Sequence, residues 1–94
     1  MTLTRILFPL GRCVATPGAL EVLSEAKQAA VPFLTRHQEG DWGEVSPEDK
    51  AANTLALVTG ERILSAYRTA QGAKLWIITE ADRSSTCILL PEEY

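Results

Sequence analysis

The chain has 94 residues, 46% of which are hydrophobic, and its nine basic and twelve acidic side chains give a net charge of −3. This length predicts one domain, covering residues 1–94, and the apolar content argues against a disordered chain. The basic residues are few and scattered, so a protein that coats DNA or RNA through the phosphates is not expected.

Metal, cofactor and membrane sites are not expected either. Cys13, Cys87 and the single histidine lack the close spacing of zinc ligands, and no glycine-rich phosphate loop is present. The apolar run at residues 1–10 is too short for a signal peptide, and no segment approaches the roughly 20 apolar residues that span a bilayer. We therefore expect a cytoplasmic protein that binds no metal, no cofactor and no membrane.

The first predicted helix begins at Thr16-Pro17, where a capping hydroxyl is followed by proline at the first helical position. Before it, residues 5–15 are ambiguous, because Pro9 interrupts an apolar run and residues 12–15 are compatible with a short edge strand. The apolar stripe of the helix consists of Ala19, Val22, Leu23 and Ala26.

A second short helix is predicted from Val31-Pro32 to just before Gly40. Its apolar stripe, which is Ala30, Phe33 and Leu34, is continued by His37. The histidine is therefore expected on the inward face at the end of the helix. Residues 41–43 would form the turn that follows.

The third helix has the strongest start signal in the chain. Ser46 is the predicted N-cap, Pro47 the first helical residue, and Asp49 completes a variant of the capping box. Gly60 is a suitable C-terminal stop. The predicted packing stripe is Ala51, Ala52, Leu55 and Val58.

Residues 62–90 predict an antiparallel meander of three strands, 62–69, 74–79 and 86–90. A three-residue first loop would pair Arg68 with Lys74, and a four-residue second loop would pair Thr79 with Thr86, but the register stays open. The strand that ends at Leu90 is expected to be an uncovered edge that permits self-association as a homodimer.

The resulting fold class is α+β, with two or three short N-terminal helices packed on one face of a three- to four-stranded antiparallel meander. The predicted core residues are Leu23, Phe33, Leu34, Leu55, Leu75, Ile77 and Ile88.

Several segments resemble an uncharacterised bacterial family of small proteins carried by plasmids and other mobile elements. The matching segments are residues 10–12, 14–20, 36–37, 40–43, 77–84 (Ile-Ile-Thr-Glu-Ala-Asp-Arg-Ser) and 90–94 (Leu-Pro-Glu-Glu-Tyr). Cys87 stands where threonine is expected in that pattern. The resemblance implies a mobile-element context, often that of a restriction–modification accessory protein, and no specific activity. A weaker similarity in the order of elements links the chain to nucleases of the barnase–colicin–RelE type.

Two polar segments supply the candidate site residues. His37 and Arg83 are the candidate catalytic residues. His37 could act as an acid or base because the pKa of histidine is near neutral pH, and Arg83 could donate hydrogen bonds to a phosphate through its planar guanidinium. Asp41, Trp42, Thr79 and Thr86 are the candidate binding residues. For each residue a structural role in the core, a turn or a hairpin is the alternative interpretation.

These features lead to two hypotheses. The first is a small acidic accessory protein of a mobile element that acts as a protein-interaction module, in host defence or restriction–modification. The second is a metal-independent ribonuclease in which His37 is the acid or base and Arg83 stabilises the phosphorane. The second hypothesis requires His37 and Arg83 to line one cleft.

Overall fold

Three helices and a four-stranded sheet make up the fold. The computed structural model describes residues 5–94, so the first four residues of the predicted N-terminal apolar run lie outside the described part. The elements in chain order are β1 (Arg12–Ala15), α1 (Pro17–Glu25), α2 (Val31–Gln38), α3 (Pro47–Thr59), β2 (Ile63–Arg68), β3 (Lys74–Thr79), β4 (Ser85–Leu89) and a final 3₁₀ turn (Pro91–Glu93). The α+β class is confirmed.

The three predicted helix starts are confirmed, two of them by capping bonds. The backbone N–H of Ala19 donates to the Thr16 hydroxyl at 3.2 Å, and that of Asp49 donates to the Ser46 hydroxyl at 3.1 Å. α3 ends at Gly60, which adopts the left-handed conformation with φ 78°.

The meander of β2, β3 and β4 is antiparallel, as predicted, and both short-loop registers are observed. Arg68 pairs with Lys74 in the first hairpin, and Thr79 pairs with Thr86 in the second. Because side chains alternate across a strand, this register turns both threonines toward the helices.

The sheet order is β1-β4-β3-β2, with β1 parallel to β4. The prediction that the strand ending at Leu90 is an uncovered edge is therefore wrong, since β4 is an inner strand. The chain enters the sheet at β1, before all three helices, and returns beside it only in the last strand. Gly11, at φ 64°, allows this approach, because a Cβ atom there would overlap the backbone carbonyl of Ser84.

All three helices pack on one face of the sheet. α1 and α2 cover its centre through a cluster that comprises Ala19, Leu23, Phe33, Tyr67, Leu75, Ile77 and Ile88. A second cluster, which includes α3, comprises Phe8, Trp42, Ala56 and Ile63. Of the predicted core residues, five are buried and Leu34 is half-buried against the first cluster.

The predicted packing face of α3 is wrong. Leu55 and Val58 are 58% and 85% exposed, and Asn53 and Ala56 are buried instead. The Asn53 amide donates to the carbonyl of Leu64 at 2.6 Å and accepts from its N–H at 3.1 Å. α3 thus turns a polar residue inward because the edge of β2 needs hydrogen-bond partners.

A neighbouring segment covers the next outward residue of the β2 edge. The N–H of Ala66 donates to the carbonyl of Trp42, and its carbonyl accepts from the N–H of Glu44. Gly43 lies between them in a parallel bridge to Ala66, at φ 73°. A Cβ atom on Gly43 would overlap the Ala66 carbonyl, so only glycine permits this contact.

The helices of residues 5–94 are short compared with the thickness of a bilayer. None of them combines the length and the apolar character that a membrane crossing needs.

Candidate functional site

His37 lies at the inward end of α2 and contacts the middle of the sheet. Its side chain is fully buried, at 0% exposure. Nδ1 lies 2.6 Å from the Ser65 hydroxyl on β2, and Nε2 lies 2.8 Å from the Thr79 hydroxyl on β3. Both ring nitrogens are thus occupied by hydroxyl groups of the protein.

The hydrogen bonds continue across the sheet. The hydroxyls of Thr79 and Thr86 are 2.8 Å apart, and the Thr86 hydroxyl donates to the backbone carbonyl of Leu10 at 2.7 Å. Ser65 and Thr79 are 0% exposed and Thr86 is 1% exposed. We call Ser65, His37, Thr79 and Thr86 the buried polar chain.

The donors and acceptors in this chain can be assigned by counting protons. A carbonyl oxygen only accepts and a hydroxyl carries one proton, so Thr86 donates to Leu10 and accepts from Thr79. The proton of Thr79 is then used, so Thr79 accepts from Nε2–H of His37. If the ring is neutral, Nδ1 then carries no proton and accepts from Ser65.

This assignment requires a neutral imidazole, and the surroundings favour one. Burial, and to a smaller extent the positive charge of Arg83, lower the pKa of His37 from 6.5 to about 4. At neutral pH the ring is therefore uncharged, protonated on Nε2 alone.

Aromatic rings enclose the remaining faces of the imidazole. Phe8 packs edge-on against His37 with ring centroids 5.2 Å apart, and Trp42 does so at 6.0 Å. Phe8 and Trp42 also stack on each other at 6.3 Å. Trp42 is 7% exposed, which places it in the core and not on a surface open to a partner.

Arg83 lies over the ring of Phe8, with its guanidinium carbon 5.6 Å from the ring centroid. Its nitrogens donate to four backbone carbonyls, those of Ala56 (3.0 Å), Glu61 (2.7 Å), Glu80 (3.1 Å) and Ala81 (3.3 Å). These bonds tie the β3–β4 turn to the C-terminal end of α3, where a positive charge suits the helix dipole. Arg83 itself has φ 60°, a conformation that side-chain-bearing residues rarely adopt.

Asp41 is exposed and takes part in a surface ion pair. Its carboxylate accepts from Nε of Arg36 at 2.7 Å, and this bond holds the pKa of the Asp41 carboxyl below its usual value. The guanidinium of Arg36 lies 4.4 Å from the Tyr67 ring centroid, and the Tyr67 hydroxyl donates to the Asp41 carbonyl at 2.5 Å. Asp41 thus orders the turn after α2.

The structure brings four of the six candidate residues together and leaves two apart. His37, Thr79 and Thr86 are linked by hydrogen bonds, and Trp42 contacts the imidazole. Arg83 is not hydrogen-bonded to them and lies over the Phe8 ring, which also contacts the imidazole, and Asp41 is at the surface. The linked residues form a continuous series of hydrogen bonds from Ser65 to the Leu10 carbonyl in the buried interior.

Two residues of this arrangement, Ser65 and Phe8, are not among the candidates predicted from the sequence. Ser65 alternates with Ile63 and Tyr67 on the inward face of β2, so strand periodicity alone would have turned it toward the core. Phe8, at 5% exposure, lies beside Pro9 in the segment whose pattern is ambiguous.

The outer face of the sheet carries a groove of about 320 Å³. Its lining residues are Arg62, Ile78, Glu80, Ser85, Cys87, Leu89 and Tyr94. Tyr94 packs on Trp76 with ring centroids 5.7 Å apart, and Ile78 and Leu89 are only 7% and 6% exposed. Burial raises the pKa of the Cys87 thiol, which keeps it protonated at neutral pH.

Among residues 5–94 no group of three or more histidine, cysteine, aspartate or glutamate side chains is arranged to hold a metal ion. Comparisons with protein-family models, with curated proteins and with solved structures find no significant match to this chain.

Proposed function

We propose that this domain is a protein-interaction module, a small acidic accessory protein of a mobile genetic element that works in the cytoplasm. The mobile-element context, with its link to host defence or restriction–modification, is supported by the sequence resemblance of residues 77–84 and 90–94 to a plasmid-borne family. The interaction role is supported by one observation of the fold, the apolar face of α3 that points to solvent.

This face consists of Ala51, Leu55 and Val58, which recur at helical spacing along the side of α3 opposite Asn53 and Ala56. Leu55 and Val58 are 58% and 85% exposed, and no other helix of the described chain has two exposed large apolar residues. From Ala51 to Val58 the stripe runs about 10 Å along the helix axis. An apolar stripe of this kind normally faces a neighbouring element.

The partner that fits this surface is an amphipathic helix with basic residues beside its apolar face. Ala51 and Ala52 are small, so a second helix can approach α3 closely. Glu48 is exposed beside the N-terminal end of the stripe, and Glu61 follows its C-terminal end. A basic helix would complement these charges while its apolar face covers Leu55 and Val58.

A displayed library of helical peptides tests this proposal. Peptides would be selected on the wild-type domain and then measured against a Leu55→Glu/Val58→Glu variant. We expect selected peptides to be basic and amphipathic, and to bind the variant about tenfold or more weakly, because the two anchors at the centre of the interface are lost. NMR shift changes on the wild-type domain should map to α3.

Leu20→Glu is the matched control, since Leu20 is 56% exposed on a different helix. This variant should bind the selected peptides as the wild-type domain does. Equal binding to the double variant, or a library that yields no peptide for the wild-type domain, would contradict the proposal.

We also propose that the module forms a homodimer. The support for this is the free outer edge of β1, since a strand with unpaired N–H and C=O groups readily pairs with another chain. Sedimentation at increasing concentration should reveal a species of twice the monomer mass. A single monomeric species at every concentration would rule the dimer out.

The ribonuclease hypothesis has less geometric support. Both nitrogens of His37 are bonded to buried hydroxyls, and the guanidinium of Arg83 is bonded to four carbonyls. A phosphate group would have to displace these partners to be bound. Purified domain that cleaves RNA, and loses this activity in a folded His37→Ala variant, would restore the hypothesis.

A further inference from the structure

The outer edge of β1 presents backbone groups without partners in the described chain. The N–H groups of Arg12 and Thr16 donate to the carbonyls of Ser84 and Ile88 on the β4 side, at 2.9 and 3.0 Å. In a parallel pair, alternate residues bond to the same neighbour, so the N–H and C=O groups of Cys13 and Ala15 point away from β4. Within residues 5–94, β4 is the one strand that pairs with β1.

The opposite edge of the same sheet is covered at Leu64 and Ala66. On β2, the outward groups of Leu64 bond to the Asn53 side chain, and those of Ala66 bond to Trp42 and Glu44. The protein thus covers one edge with a buried asparagine and a glycine-dependent bridge. At the other edge it leaves a strand whose side chains are mostly exposed.

We propose that β1 pairs antiparallel with β1 of a second copy, with Val14 on the two-fold axis, so that the two sheets join into one of eight strands. The inference rests on the proposed homodimer and adds the direction and register of the pairing.

The geometry of β1 is self-complementary in this register. Cys13 of one copy faces Ala15 of the other at both ends, and each of these two pairs exchanges two backbone hydrogen bonds. Val14 faces Val14 of the second copy in the closer, non-hydrogen-bonded type of pair. Val14 is 43% exposed on the face away from the helices, so the two side chains would cover each other.

Charges at the ends of the strand also match. Arg12 of one copy would face Thr16 of the other, and the Thr16 hydroxyl donates to the carboxylate of Glu93 at 2.5 Å. Arg12 and Glu93 are both exposed. A symmetric dimer would therefore bring an arginine beside a carboxylate twice, which argues for a second copy as the occupant of this edge.

Disulfide trapping tests the register. In a Cys13→Ser/Cys87→Ser background, Val14→Cys would leave one cysteine in each copy. The Cα atoms of these two cysteines would be about 4.5 Å apart in the dimer, within the range of a disulfide. We expect mild oxidation to convert most of this variant into a covalent dimer. The matched control is Cys87→Ser, which retains Cys13. The Cα atoms of Cys13 in the two copies would be about 8 Å apart, so little covalent dimer is expected.

A charge substitution provides the second measurement. Val14→Lys would set two like charges directly opposite each other, while its exposed position leaves the fold intact by circular dichroism. The sedimentation mass should fall from that of a dimer to that of a monomer. If the wild-type protein is a monomer throughout, both the homodimer and this register are wrong.

Two other results would overturn the register alone. One is a dimeric wild-type protein whose Val14→Cys variant is not trapped, or is trapped less readily than the control that retains Cys13. The other is a Val14→Lys variant that remains a dimer. The homodimer itself would then stand on another surface.

Discussion

At the scale of single residues, all hydrogen bonds of the buried polar chain are donated in the same direction, from Ser65 toward the Leu10 carbonyl. Each hydroxyl has a single proton, so the order from Ser65 through His37 and Thr79 to Thr86 uses every side-chain proton of the chain in a hydrogen bond. Among the described residues, no buried side-chain nitrogen or oxygen is unsatisfied. A fully satisfied interior of this kind specifies one packing arrangement and penalises any substitution that removes a link.

Thr79→Val is the sharpest substitution for this chain. Valine keeps the shape of threonine, but Nε2–H of His37 then loses its acceptor and Thr86 loses its donor. We expect the free energy of unfolding to fall by about 1–3 kcal/mol, which is the cost of leaving a buried donor unpaired. Urea unfolding at neutral pH measures the change.

Thr59→Val is the control, since Thr59 is exposed at the end of α3. It should alter the free energy of unfolding by less than about 0.5 kcal/mol. Equal stability of the two variants would show that the hydrogen bond between His37 and Thr79 contributes nothing net.

At the scale of elements, local signals in the sequence predicted where helices start and stop, but not always which face packs. Thr16, Ser46 and Gly60 act on groups within a few residues, so their roles could be predicted from the sequence. The face of α3 depends on a strand edge eleven residues away in the chain, which periodicity does not register. The parallel pairing of β1 with β4 likewise joins segments more than 70 residues apart.

The candidate site was predictable to a similar degree. A loop of four residues was enough to place Thr79 opposite Thr86, and the stripe of the second helix was enough to turn His37 inward. The sequence could not indicate that these groups meet one another, because their contact is set by how α2 crosses the sheet. Nor could the sequence indicate that backbone carbonyls around Arg83 would accept the hydrogen bonds of its guanidinium.

Asn53→Leu tests the role of α3 as a cover for the β2 edge. Leucine removes both bonds to the backbone of Leu64, and we expect the free energy of unfolding to fall by about 1–3 kcal/mol. The exposed edge should also make the variant associate in a concentration-dependent manner. Chemical denaturation and light scattering measure the two effects.

Asn53→Asp separates these effects. It keeps an acceptor for the Leu64 N–H but sets a buried carboxylate against the Leu64 carbonyl, so we expect it to lose at least as much stability as Asn53→Leu at neutral pH while associating less, because its side chain still bonds to the strand edge. An Asn53→Leu variant as stable as the wild-type protein would mean that α3 is positioned by Ala56 and the apolar contacts alone.

At the scale of the whole molecule, folding determines where one proton is bound. The chain contains a single histidine, and burial lowers its pKa from 6.5 to about 4. Between these two pH values the unfolded chain binds a proton that the folded protein does not bind. The stability contributed by the neutral His37 is therefore fully present above pH 6.5 and is lost as the pH falls toward 4.

Carboxylates affect stability in the same direction but at lower pH. Hydrogen bonds from Thr16 and Arg36 lower the pKa values of Glu93 and Asp41 below their ordinary values of 4.5 and 3.8. Their contribution is lost only when the pH falls below those ordinary values. The interval from pH 6.5 to about pH 5 therefore isolates the effect of His37.

We expect the free energy of unfolding to decrease by about 2 kcal/mol between pH 7 and pH 5, since the imidazole is protonated in the unfolded chain alone over this interval. Urea denaturation at several pH values measures the decrease, and a His37→Gln variant should show almost none of it. Nitrogen NMR of the imidazole supplies a second measurement, because it should report a neutral ring with the proton on Nε2 at pH 5. A histidine that titrates near 6.5 in the folded protein, or a free energy that stays constant down to pH 5, would mean that the interior around His37 admits its charge.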